Sequence, residues 1–199
     1  PPIQRLFTVH QTLDRWSDVL RRVPPTQWHL TIRFLGDVDS ALLEGIGRAG
    51  REAAAGANSF EFAFRGIGTF RQRGRLSVLW AGVADSGSLP TLAEHLNAGL
   101  VACGLPAETR PLNPHLTLAR FRGPASRQLL RWIDDHRDAD LGRAPCASLE
   151  LIRAELTPRG PVYTTIQQFP LAGTTTSASD AAEEQPGENG VSASDHGVP

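Results

Sequence analysis

Residues 26–34 read TQWHLTIRF, one histidine in a run where apolar and polar side chains alternate from Trp28 on. Alternation of this kind predicts a half-buried strand. Successive side chains then point to opposite faces, so His29 and Thr31 share one face with Arg33, while Leu30 and Ile32 share the other. For one H-x-T on one strand, the ordinary reading is a satisfied core histidine. The rest of the chain changes that reading.

Residues 113–121 read NPHLTLARF. His115 and Thr117 stand 86 positions after His29 and Thr31, and Pro25/Pro111 and the turn pairs Arg73–Gly74/Arg159–Gly160 keep the same offset. The elements around them repeat too. An amphipathic helix with Leu6, Val9, Leu13, Trp16 and Leu20 three or four apart precedes WHLTIRFLG. A helix near 40–55 and the strands SFEFAFRGI and RLSVLWAGV follow it. In the second half, LPTLAEHLNAGLVACG is a helix, PHLTLARF a strand, ASRQLLRWIDDHR a helix, and ASLELIRAEL and PVYTTIQQFPL strands. This internal repeat predicts an α+β protein with a duplicated two-lobed fold, in which antiparallel sheets carry helices on their outer side and enclose a central cleft. The expected organisation is one bilobal domain over residues 1–172, its lobes interleaved around the two HxT strands. A disordered acidic tail over 173–199 follows, too polar and aperiodic to offset its ordering entropy.

Composition narrows the partners. Twenty basic residues against 21 acidic give a formal charge of −1. Five of the acids (Asp180, Glu183, Glu184, Glu188, Asp195) lie beyond Gly173 with no base among them, which leaves the body at +4. Every basic residue is arginine, whose planar fork suits phosphate. No apolar run approaches the roughly 18 residues of a membrane helix, and no signal-peptide layout opens the chain. Cys103 and Cys146 lack CxxC spacing and are read as buried free thiols, which suits a reducing cytoplasm. A monomer is expected.

Two imidazoles and two hydroxyls that converge suit in-line displacement at phosphorus. One neutral imidazole takes a proton from the attacking water, and the other, protonated, gives one to the leaving oxygen. An unperturbed pKa of about 6.5 lets both forms coexist near neutrality. The Thr31 and Thr117 hydroxyls can donate to non-bridging oxygens and hold the phosphate in line. Arg33 and Arg120 are candidates for charge stabilisation. On a regular strand, parity puts Arg33 on the histidine face and Arg120 on the opposite one, so Arg120 must reach from the strand end.

Paired H-L-T strands in a duplicated α+β chain resemble the two-histidine (2H) phosphoesterase superfamily, defined by paired HxTx motifs. VPPTQWHLTIRFLGDV, GIGTF…RLSVLWAGV, PHLTLARF and ELTPRGPVYTTIQQFPL are similar to its bacterial RNA 2′,3′-cyclic phosphodiesterase branch, over about residues 1–171. The resemblance implies opening of a terminal 2′,3′-cyclic phosphate to a 2′-phosphomonoester with no metal or other cofactor. It also implies His29 and His115 as the catalytic pair, Thr31 and Thr117 as phosphate ligands, and RNA ends or small nucleotides as partners. Family members open with a short R-L-F-hydrophobic-A strand, and here the first strand is expected to be missing. Other substrates for the same chemistry are a 2′,5′-linked oligonucleotide, joined or cleaved, or a small cyclic phosphate. A non-catalytic reading is an RNA-end binding module.

The remaining candidates read as structural. His10, His95 and His136 belong to helices and His196 to the tail, with no zinc-ligand spacing. Trp28, Phe34, Phe70, Trp80 and Trp132 read as core or cleft wall, with Phe70 or Tyr163 available to stack on a base. GIGTF reads as a turn. The arginines at 71, 73 and 75 read as a solvated turn in preference to a phosphate-tracking edge.

Overall fold

A computed structural model describes residues 3–84, 87–157 and 160–173. The tail expected over 173–199 lies outside the described residues from 174 onward, as do His196 and Arg159 of the second turn pair.

The fold is α+β with antiparallel sheets, as the pattern predicts. Strands β1 (Leu20–Arg22), β2 (Phe60–Gln72), β3 (Arg75–Ala84), β4 (His115–Phe121) and β5 (Asp140–Cys146) form a five-stranded sheet in the order β1-β4-β3-β2-β5. Strands β6 (Ser148–Thr157) and β7 (Gly160–Pro170) pair as a separate ribbon. Helices α1 (Gln4–Thr12) and α4 (Arg127–Asp135) bury Leu6 and Leu129 in the core of the larger sheet, with Leu79, Leu116 and Leu118 beneath them. Helix α2 (Leu43–Ala55) and helix α3 (Ser88–Ala102) pack on the ribbon through Ala53, Ala54 and Leu92 against Leu149 and Phe169. No helix among the described residues is long and apolar enough to cross a membrane.

Three local readings are corrected. The first amphipathic helix does not reach Arg22. It tightens to a 3-10 turn over Leu13–Trp16, and Leu20–Arg22 pairs instead with β4, Leu20 opposite Phe121. The periodicity of Leu13, Trp16 and Leu20 marks burial shared by two elements, not one continuous helix.

The HLT run of residues 28–34 is no regular strand: it bends at Ile32 and among the described residues makes one bridge, Leu30 to Leu116. Val23 donates to the Leu118 carbonyl. A continuous strand would reach Leu116 two residues later, yet Leu30 comes seven later. The excursion holds Pro24 and Pro25, one of which opens a 3-10 turn, and proline has no N–H to offer a ladder. The first HLT segment is thus an interrupted continuation of β1 along the same edge of β4.

GIGTF is no turn. It lies inside β2, beside a register shift between Phe64 and Ile67. Gly68 is required there because a Cβ would stand 2.2 Å from the Trp80 ring.

Candidate active site

The Leu30–Leu116 bridge is antiparallel, which sets His29 across from Thr117 and Thr31 across from His115. Leu116 is buried in the sheet core and Leu30 packs against it, so the two histidines and two threonines occupy the opposite face of this ladder. Residues directly opposite have Cβ atoms about 5 Å apart and diagonal ones about 7–8 Å. The imidazoles are the diagonal pair, with a hydroxyl beside each.

The rings are held alike. Nδ1 of His29 lies 2.8 Å from the Gln27 carbonyl oxygen, and Nδ1 of His115 lies 2.8 Å from that of Asn113. A carbonyl only accepts, so each Nδ1 carries the hydrogen and donates it two residues back. In the neutral ring this leaves the lone pair on Nε2. Each ring also meets an aromatic edge. Phe70 of β2 stands 4.7 Å from His115 at 90°, and Tyr163 of β7 stands 4.8 Å from His29 at 67°. The larger sheet therefore supplies one packing partner and the ribbon the other. Trp80, paired with Thr117, continues the wall beside Phe70, their ring centroids 5.4 Å apart.

Arg120 is on the histidine face, contrary to the parity of a regular strand. Leu79 pairs with Ala119 but Trp80 with Thr117, so Leu118 is a bulge residue with no opposite number on β3. Leu118 and Ala119 are both buried as a result, and the alternation resumes shifted by one. Val78, two before Trp80 on one face of β3, then pairs with Arg120.

Arg33 is withdrawn from the site. Its Nη1 lies 2.8 Å from Glu108 Oε2 and its Nη2 donates to the Pro106 carbonyl at 2.6 Å, with its side chain 11% exposed. Glu108 also accepts from the Arg110 side chain and backbone N–H. These Arg110 hydrogen bonds, ahead of the charge of Arg33, pull the Glu108 carboxyl down to about 2. Arg33 thereby ties the end of the first HLT segment to the loop that leads into β4.

His10 is 2% exposed, and Arg22 Nη1 lies 3.3 Å from its Nδ1. Burial, followed by the Arg22 charge, lowers its pKa. It stands edge-on to Trp28, whose indole N–H donates to the Val23 carbonyl, so this histidine buttresses the excursion before His29. His136 at the end of α4 packs on Trp132. Phe34, expected in core or cleft wall, is 73% exposed. Cys103 and Cys146 are free thiols but only half-buried, contrary to the expectation of buried ones, and partial burial raises the Cys146 pKa. The two carbonyls that fix the imidazoles left no trace in the sequence, because any residue two positions earlier carries one.

Comparison with known proteins gives the family. A family model described as the 2′-5′ RNA ligase superfamily matches residues 4–157. A Methanothermobacter thermautotrophicus protein named RNA 2′,3′-cyclic phosphodiesterase is 32% identical over 164 residues, covering 82% of this chain and 89% of that protein. A Thermus thermophilus protein of the same name is 35% identical over 162 residues, covering 76% and 75%. Among solved structures, one from Thermus thermophilus superposes with a TM-score of 0.71 at 33% identity, over 88% of this chain and 95% of that one. The chain belongs to the 2′-5′ RNA ligase, or 2H phosphoesterase, superfamily. The fold is shared more widely. E. coli LigT complexed with 3′-AMP has a TM-score of 0.63 at 19% identity, over 83% and 92% of the two chains.

Proposed function

We propose that this chain hydrolyses the 2′,3′-cyclic phosphate ends of RNA to 2′-phosphomonoesters, with His29 and His115 as the acid–base pair. The observation that carries the reading is the matched tautomer lock, two Nε2 lone pairs set diagonally across one strand pair with a threonine beside each. The named activity of the relatives, at about a third identity over most of the chain, supports the same substrate.

In the reaction, one imidazole accepts a proton at Nε2 from water as its oxygen forms the new bond to phosphorus. The P–O3′ bond breaks, and the protonated Nε2 of the other imidazole delivers its proton to O3′. One water is consumed, and the ring pair ends with its protons exchanged between partners. Thr31 and Thr117 donate to the non-bridging oxygens, and Arg120 offsets their growing charge from the same face. These roles call on imidazole, hydroxyl and guanidinium alone.

The test is product analysis of an oligoribonucleotide ending in a 2′,3′-cyclic phosphate. A 2′-phosphate end, formed undiminished in EDTA, is the expected product. Tight binding with no product would overturn the reading in favour of an RNA-end binding module.

A further inference from the structure

The arginines at the β2–β3 tip are all exposed, as a solvated turn requires, but Arg71 and Arg75 lie on opposite faces. Arg71 faces away from the histidines, paired with Leu76, and its Nη1 donates to the Gly74 carbonyl at 3.0 Å. Arg73 and Gly74 make the turn itself, both at positive φ (49° and 78°), the geometry of a two-residue hairpin loop. Arg75 is different. Phe70 pairs with Val78 but Arg71 with Leu76, so Ser77 is a second bulge residue and the parity shifts again. Arg75, opposite Gln72, comes to the face of Phe70, Trp80 and His115.

Two bulges on neighbouring strands therefore turn Arg75 and Arg120 to one side. Arg122, in the bend just after β4, donates its N–H to the Val19 carbonyl and lines the same groove. A groove joins them, lined by Arg21, Gln72, Arg75, Ser77, Arg120 and Arg122 among others, with no carboxylate among the described residues of its lining. Among the described residues no salt bridge engages Arg75, Arg120 or Arg122. Three guanidinium groups on one wall without a carboxylate to offset them suit an extended polyanion.

We propose that this groove carries the RNA strand leading to the reacting end, holding its phosphates without reading its bases. The proposal deepens, and rests on, the cyclic-phosphate reading above. A 2′,3′-cyclic phosphate exists only at a 3′ terminus, so the rest of the strand leaves the site toward its 5′ side by one path. Gly82, paired with His115, and Arg75 are seven residues apart on β3, roughly 23 Å at the rise of an extended strand. That is beyond a mononucleotide and within reach of a short oligomer.

The experiment compares the parent chain with the double variant Arg75→Gln/Arg122→Gln on two substrates, cytidine 2′,3′-cyclic monophosphate and a ten-nucleotide RNA with the same end. It also measures binding of that RNA with a 2′-phosphate end between 50 and 200 mM salt. Each single-strand phosphate contact contributes about 0.7 to the log–log salt slope. The variant is expected to bind the oligomer about tenfold more weakly, with a slope shallower by about 1.4. Its ratio of oligomer to mononucleotide kcat/KM should fall by a similar factor. Unchanged oligomer affinity and slope would overturn the proposal. So would an equal loss on both substrates, or equal displacement of the RNA by polyglutamate. If the parent turns over neither substrate yet the variant loses affinity and slope, the catalytic reading fails while the groove stands as a single-strand binding surface.

Discussion

Leu30 bridges Leu116 across an otherwise interrupted strand edge, and this one contact puts His29 opposite Thr117 and Thr31 opposite His115. The two copies of the motif meet through their leucines, the residues that make the least chemistry. Their burial under the sheet holds the four polar groups on the far side.

Leu116→Ala should therefore loosen both fold and site. A buried leucine cut to alanine costs about 2–5 kcal/mol, so the denaturant midpoint should drop with little change in m-value. A loss below about 1 kcal/mol would mean that the bridge is not packed as described.

Gly68→Ala probes the wall. Its Cβ would meet the Trp80 ring at 2.2 Å, and forcing atoms into a packed site costs about 1–3 kcal/mol. Displaced Trp80 fluorescence and reduced turnover are expected together. Unchanged emission would contradict the contact.

Arg120 and Arg33 separate by function. Arg120→Ala should lower kcat by about 10²–10³, the scale of a lost charge-stabilising donor, at nearly unchanged stability. Arg33→Ala should lower stability and raise proteolysis of the 104–114 loop, because its partners are Glu108 and Pro106. The opposite assignment of effects would reverse the roles given to these arginines.

Among the described residues, His10 and Glu108 carry shifts that bear on the acid response. His10 is held neutral, its folded pKa below the unfolded value near 6.5, so the unfolded chain takes up more protons and stability falls as pH drops below about 6.5. Thermal midpoints from pH 7 to 5 should decline, and His10→Phe should flatten that decline. Glu108 behaves otherwise, since its folded pKa is about 2 against 4.5. Its contribution is whole above about 4.5 and is lost only as pH falls toward 2. The stability gap between parent and Glu108→Gln should hold from pH 7 to 5 and close below that.

Much of this was legible in the chain. The 86-residue offset singled out both histidines and both threonines, which the Leu30–Leu116 bridge brings together, because a repeated motif and strand alternation can be read along the chain. What escaped was set by tertiary pairing. Leu20–Arg22 reads as helix by period and becomes strand because β4 offers it an open edge. Residues 28–34 read as a strand, yet the proline excursion leaves them one bridge. Bulges at Leu118 and Ser77 moved Arg120 and Arg75 to the histidine face. A bulge adds a residue without changing the apolar pattern on either side of it, so parity counted along the sequence gives the wrong face.

The two-histidine mechanism is tested most directly by the turnover of His29→Ala and His115→Ala on RNA ending in a 2′,3′-cyclic phosphate, with folding verified by circular dichroism. In the proposed mechanism each histidine is one half of a proton relay, so each variant should lose at least about 10²–10⁴ in kcat while staying folded. Full activity in either folded variant would contradict the mechanism.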